Sequence, residues 1–93
     1  MDIRVYNYVN GDRYAGEWKN NKRHGYGVYY FSNGEVYEGQ WTNNKRHGKG
    51  IYRRKNGNIY EGSWKDDMQY GYGIYKIKGK GFRVKVIYMA KFT

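Results

Sequence analysis

Polar and apolar residues alternate along most of the chain, and the alternation itself recurs at a fixed interval. The stretch from Tyr37 to Ile59, YEGQWTNNKRHGKGIYRRKNGNI, superposes on the stretches that begin at Tyr14 and Tyr60, a period of 23 residues. Alternation with a period of two is the mark of a strand with one covered face. Repetition at this spacing implies an array in which each unit stacks on its neighbours. Each unit supplies two strand-like runs, Tyr-x-Gly-x-Trp and Gly-x-Gly-(Val/Ile)-Tyr. Asn-Gly recurs between such runs at 10-11, 33-34 and 56-57. This dipeptide favours a two-residue type I′ turn, because glycine and asparagine accept positive φ. The other connections, at 19–25, 42–48 and 65–71, read as longer loops. The pattern predicts an all-β chain, a one-dimensional array of tandem β-hairpins. Its units are a leading half repeat at 1–13, repeats at 14–36 and 37–59, a degenerate repeat at 60–82 and a capping strand at 83–93.

A two-residue turn fixes the cross-strand partners. Val5 then faces Gly16, Val28 faces Gly39 and Ile51 faces Gly62, while Ile3, Tyr26 and Lys49 face Trp18, Trp41 and Trp64. Opposed residues share a face. One face is thus expected to carry Tyr14, Tyr37, Tyr60 and the three tryptophans with Val5, Val28, Ile51 and Ile74. Tyr6, Tyr29, Tyr52 and Tyr75 fall on the other face with Gly27, Gly50, Gly73, Glu38 and Glu61. Glycines between Tyr and Trp leave gaps that neighbouring rings cover. The last apolar alternation, through Phe82, Val84, Val86 and Tyr88, predicts a final strand.

Composition supports a thin structure. Thirteen tyrosines and three tryptophans accompany a total lack of proline and cysteine. Aromatic rings bury broad apolar surface while keeping a polar edge in water, and proline is excluded from sheet interiors. Without cysteine there is neither a disulfide framework nor a thiolate metal site. No apolar run approaches the ~20 residues that span a bilayer, and the chain is expected in the cytoplasm. The net charge of +10 favours acidic partners.

The recurring Tyr-(Glu/Ala)-Gly-x-Trp, Gly-x-Gly-(Val/Ile)-Tyr and Asn-Gly at this period resemble the MORN repeat, the membrane occupation and recognition nexus motif, over residues 2 to about 82. The resemblance implies one hairpin per repeat joined into an elongated, twisted, single-layer antiparallel sheet, repeats that bind rather than catalyse, and a place at a membrane or on the cytoskeleton.

Catalysis finds no foothold in the residues. His24 and His47 occupy the same slot of two repeats, with no convergent carboxylates and no cysteine, so a positional role is expected and neither metal nor cofactor is assigned. The Gly-x-Gly pairs precede no helix and so fail the condition for a phosphate loop. The aromatic face is the first binding candidate: Tyr14, Trp18, Tyr37, Trp41, Tyr60 and Trp64, with Val28 and Ile51, are expected to receive a helical or extended segment of a protein partner, and Trp41→Ala to abolish binding with the fold intact. The alternative is peripheral attachment to anionic phospholipid through Lys22, Arg23, Lys45, Arg46, Lys78, Lys80, Arg83 and Lys85, each contributing about 1 kcal/mol near such a surface. Nucleic acid ranks third for want of a recognition motif. Self-association is open through either terminal strand or the aromatic face.

Overall fold

The computed structural model describes residues 2–79 and the backbone of 84–92. Eight strands are formed among them: β1 (Asp2–Asn7), β2 (Arg13–Lys19), β3 (Lys22–Tyr30), β4 (Val36–Thr42), β5 (Lys45–Arg53), β6 (Ile59–Lys65), β7 (Met68–Lys78) and β8 (Val84–Phe92). They lie in one antiparallel sheet in chain order, 41 × 28 × 18 Å in extent. Every strand pairs with its sequence neighbour, as a chain of hairpins requires. The final strand is present as β8, with Tyr75 paired to Tyr88; Phe82, and with it Lys80 and Arg83, lies outside the described residues.

The turns exchange the roles expected of them. At Asn33-Gly34, Phe31 N–H donates to Glu35 O and Gly34 N–H to Phe31 O, and Gly34 has φ +96°. This is a three-residue loop, a type I turn closed by a glycine in the left-handed region, and it recurs at 10-11 and 56-57. The two-residue turns lie instead at Asn20-Asn21, Asn43-Asn44 and Asp66-Asp67, where both central residues have positive φ. Asn and Asp tolerate that region better than other residues with side chains, so the expected long loops are tight type I′ hairpins. The surplus residues enter β3, β5 and β7 as bulges, with Gly25, Gly48 and Gly71 at positive φ and the pairing register shifting opposite Gly16, Gly39 and Gly62. The bulge is held by the strand across from it: Glu17 Oε1 accepts from Tyr26 N–H at 2.6 Å and Gln40 Oε1 from Lys49 N–H at 2.9 Å.

One residue of difference in the loop moves every partner. Val5 pairs with Ala15, Val28 with Glu38 and Ile51 with Glu61, while Gly27 meets Gly39 and Tyr29 meets Tyr37. Gly25 and Gly48, not Tyr26 and Lys49, face Trp41 and Trp64, and Ile3 faces Glu17. The faces are corrected accordingly, since a slip of one reverses side-chain direction. Tyr6, Tyr29, Tyr52 and Tyr75 share the tryptophan face, together with Gly27, Gly50 and Gly73. Val5, Val28, Ile51, Ile74, Glu38 and Glu61 lie on the other.

The core is the tryptophan face. Tyr14, Tyr37 and Tyr60 are 0–2% exposed and Trp18, Trp41 and Trp64 are 5–6% exposed. Each of these tyrosines folds over a glycine pair: a methyl added at Gly27 would coincide with the Tyr14 phenol, and one at Gly50 with that of Tyr37. Tyr14 Oη donates to Glu17 O and Tyr37 Oη to Gln40 O. Trp41 then stands edge-on between Tyr14 and Tyr37, at 5.5 and 5.2 Å, and Trp64 stands against Tyr37 and Tyr60 at 5.3 and 5.4 Å. Such pairs contribute ~0.5–1.5 kcal/mol beyond their buried area, and the alternation of Tyr and Trp gives the sheet a continuous core on one side.

Candidate functional site

The opposite face leaves room for a ligand. A trough of about 560 Å³ crosses β3 to β7, lined by Tyr26, Glu38, Lys49, Ile51, Glu61, Tyr72 and Ile74 over the backbone of Gly39, Gly50, Gly62 and Gly73. The 23-residue period organises it in rows. Val28, Ile51 and Ile74 occupy one repeat position, Tyr26, Lys49 and Tyr72 a second, and Glu38 and Glu61 a third. Tyr26 is 53% exposed and Tyr72 62%. On the third row the acids are paired along the sheet, Glu38 with Arg53 at 2.7 Å and Glu61 with Lys76 at 2.9 Å. The acids on this face are thus paired, and Lys49 donates instead to Ser63 Oγ at 2.8 Å.

On the aromatic face arginines cover the tryptophans, beside hollows of about 470 and 350 Å³ lined by Arg46, Tyr52 and Trp64 and by Arg4, Tyr6 and Trp18. Arg23 lies over Trp41, its guanidinium 4.9 Å from the ring, and Arg46 over Trp64 at 4.6 Å. Each is gripped by the type I′ turn of the next unit. Arg23 N–H donates to Asn44 Oδ1 and its Nη2 to Asn44 O; Arg46 makes the same bonds to Asp67, with an ion pair of 3.1 Å. Asp67 thus does in its unit what Asn44 does in the preceding one. His24 Nδ1 accepts from Asn43 N–H at 3.4 Å, so this histidine meets the next turn. No group of three His, Cys, Asp or Glu side chains able to hold a metal occurs among the described residues.

A second seam joins units at the type I turns. Asp12, buried, accepts from Tyr29 Oη at 2.7 Å and Ser32 N–H at 2.8 Å; Glu35 accepts from Tyr52 Oη and Lys55 N–H. The phenol bond is the main cause holding both carboxyls below their ordinary values, whereas burial, reinforced by the same bond, pushes Tyr52 up to about 12 and raises Tyr29. Acids with depressed values in the folded state stabilise it above their unfolded values, and this contribution is lost as pH falls through the folded ones. Stability is therefore expected to decline on acidification below the ordinary values of 4.5 for Glu35 and 3.8 for Asp12. Asp12→Asn should cost about 1.5–3 kcal/mol at neutral pH, the scale of a hydrogen bond to a charged group. Urea melts of both proteins should converge at the acid end; a pH-independent difference would show that the carboxylate charge is not what Tyr29 and Ser32 read.

A family model described as MORN repeat matches residues 14–36, 37–59 and 60–82, more than half of the chain. The chain belongs to the MORN repeat family. Among individual curated proteins none matches it. MORN repeats are an interaction module found in membrane-associated and protein-interaction proteins, and the family is not a known enzyme family.

Within this MORN array the expected binding residues separate. Tyr14, Trp18, Tyr37, Trp41, Tyr60 and Trp64 come together, but as buried core rather than as an open aromatic face. Val28 and Ile51 face the trough side. Of the basic residues, Lys22 and Lys45 are exposed at hairpin tips and Lys78 is exposed, while Arg23 and Arg46 are turned inward onto the tryptophans. Tyr26, Tyr72 and Ile74, which border the trough, were not among the expected binding residues. Pairing Gly16 with Gly27, and Gly39 with Gly50, is the signal that finds them, since only glycine on both strands leaves room for the Tyr14 and Tyr37 rings and so sends the aliphatic row to the other face.

Proposed function

We propose that the chain is a non-enzymatic protein-interaction module whose trough receives a segment of a partner protein. The observation that carries this reading is the apolar pair Ile51 and Ile74 in the trough, continued on the same face by Val28 one repeat earlier and flanked by exposed Tyr26 and Tyr72. Strands ~4.8 Å apart advance the row by about 9.6 Å per repeat. A helix rising ~1.5 Å per residue meets a new repeat every six or seven residues. An amphipathic helix with apolar anchors at such intervals fits the row, and acidic flanks suit both Lys49 and the overall charge of +10.

The test is selection from a displayed library of helical and extended peptides, followed by titration against wild type, Ile51→Asp and Tyr72→Ala. Selected ligands should carry apolar anchors at that spacing and bind Ile51→Asp at least ~10-fold more weakly, about 1.4 kcal/mol. Ligands indifferent to both substitutions would dismiss the trough.

A second reading, peripheral binding to anionic phospholipid, is favoured by one feature: Lys19, Lys22, Lys45 and Lys65 are exposed beside the type I′ turns along a single edge. Charge of this kind attracts without selecting a headgroup and is screened by salt. Cosedimentation with phosphatidylserine vesicles that survives Ile51→Asp but not charge reversal at Lys22 and Lys45 would favour it. Either activity would suit a scaffold in the cytoplasm, at a membrane or on the cytoskeleton.

A further inference from the structure

The outer edge of β1 is built differently from every inner strand. In the inner repeats the tyrosine of the preceding strand lies over the glycine at 27, 50 or 73, where a methyl group would coincide with the ring. One period earlier the same position is Arg4. Its guanidinium stacks 4.5 Å from the Trp18 ring and reaches Asn21 Oδ1 at 3.3 Å, as Arg23 does with Trp41 and Asn44. A further repeat of the same kind would meet the Arg4 side chain, and not a glycine, where its tyrosine ring lies.

The edge nevertheless carries free pairing capacity. Tyr8 N–H donates to Asp12 O, and antiparallel strands direct alternate residues to opposite neighbours. Tyr6 and Arg4, opposite Tyr14 and Gly16, therefore bond to β2, while Ile3, Val5 and Asn7 turn their N–H and C=O groups outward. All six residues of β1 are exposed, Ile3 at 80% and Val5 at 57%. The strand lacks the lysine, proline or bulge that usually blunts an edge.

We infer that β1 pairs with β1 of a second copy of this chain across a two-fold axis perpendicular to the sheet. The register follows from four conditions. Paired residues must lie on the same face, the outward-directed residues must oppose one another, most of β1 must be paired, and Arg4 must not oppose its own copy. Pairing Val5 with Val5 of the second copy, which pairs residues 3–7, satisfies all four. It sets Ile3 against Asn7 and Arg4 against Tyr6, and the Val5 and Ile3–Asn7 pairs each exchange both hydrogen bonds. The arrangement is isologous and closed, so it ends at a dimer. Charge is compatible with it: within residues 1–13 Asp2 and Asp12 balance Arg4 and Arg13, although the whole chain carries +10. The approach of the first unit to a copy is thus not opposed by an excess of positive charge within it. This dimer uses the edge and is independent of the trough.

The test is sedimentation equilibrium of the full chain over a dilution series, with Val5→Pro and Val5→Lys. Proline at position 5 removes an N–H that points away from β2, a position at which edge strands tolerate it, so the fold and melting temperature are kept. Wild type should shift from monomer to dimer mass with concentration, and both variants should stay monomeric. Because the chain has no cysteine, Val5→Cys supplies a readout of register. The paired Cα atoms, ~5.5 Å apart in a hydrogen-bonded pair, lie within disulfide range. Air oxidation should therefore link this variant into dimers much faster than Tyr26→Cys. A wild type that is monomeric throughout, a dimer indifferent to Val5→Pro, or equal linking of the two cysteine variants would each overturn the inference.

Discussion

Gly50→Ala is expected to cost more than about 3 kcal/mol, beyond the usual range for overpacking, and to lower the melting temperature by roughly 15 °C for a domain of this size. The added methyl would occupy the space of the Tyr37 phenol. That ring has nowhere to go. Its hydroxyl is held by Gln40 O at 2.9 Å, and its faces and edges are set by Trp41 and Trp64 at 5.2 and 5.3 Å. Relief would require spreading β4 from β5 and breaking the ladder at the Gly39–Gly50 pair. Gly34→Ala is the comparison that separates ring packing from backbone strain. Nothing lies within 4 Å of its added methyl, but its φ is +96°, so only the left-handed penalty of ~1–2 kcal/mol applies. Thermal melts followed by circular dichroism distinguish the two. A Gly50→Ala protein that melts as Gly34→Ala does would show that Tyr37 does not lie over the glycine pair.

Trp41→Ala should cost about 3–5 kcal/mol, the scale of removing a buried aromatic side chain. Trp41 is 5% exposed, donates from Nε1 to Gly27 O at 3.2 Å and touches Tyr14, Tyr29 and Tyr37. Its loss would also strip Arg23 of the ring beneath its guanidinium, where Nε is already buried without a hydrogen-bond partner. This reverses the expectation that Trp41→Ala abolishes binding with the fold intact: the substitution acts on folding itself. Tyr26→Ala, on the exposed trough side, should by contrast change stability little. Urea denaturation monitored by far-ultraviolet circular dichroism reports both. A Trp41→Ala chain within ~1 kcal/mol of wild type would mean that the rings form an open surface, as the alternation alone suggested, and not a core.

The two variants test a point at which sequence and structure part. Asn33-Gly34 marks a hairpin in either register, because Asn-Gly suits a type I′ turn and the type I turn with a left-handed glycine alike. The difference is a single residue, and it decides which face carries Val28 and Ile51. The sequence held a second clue in Asn43-Asn44 and Asp66-Asp67, paired residues that accept positive φ, but the length between Trp and Gly-x-Gly disguised them as loops. Bulges at Gly25, Gly48 and Gly71 absorb that length inside the strands, where no local pattern announces them.

The chain by itself determined what is periodic: hairpins of one kind, their order, their number within residues 14–82 and the family to which they belong. These follow from local chemistry, since turn residues and alternation act within a few positions of each other. Only the tertiary structure decided which side is core and which is trough. That choice rests on contacts between strands, the Tyr14, Tyr37 and Tyr60 rings over glycine pairs and Arg23 and Arg46 over tryptophans one repeat away. A one-residue slip leaves every local preference satisfied and reverses them all.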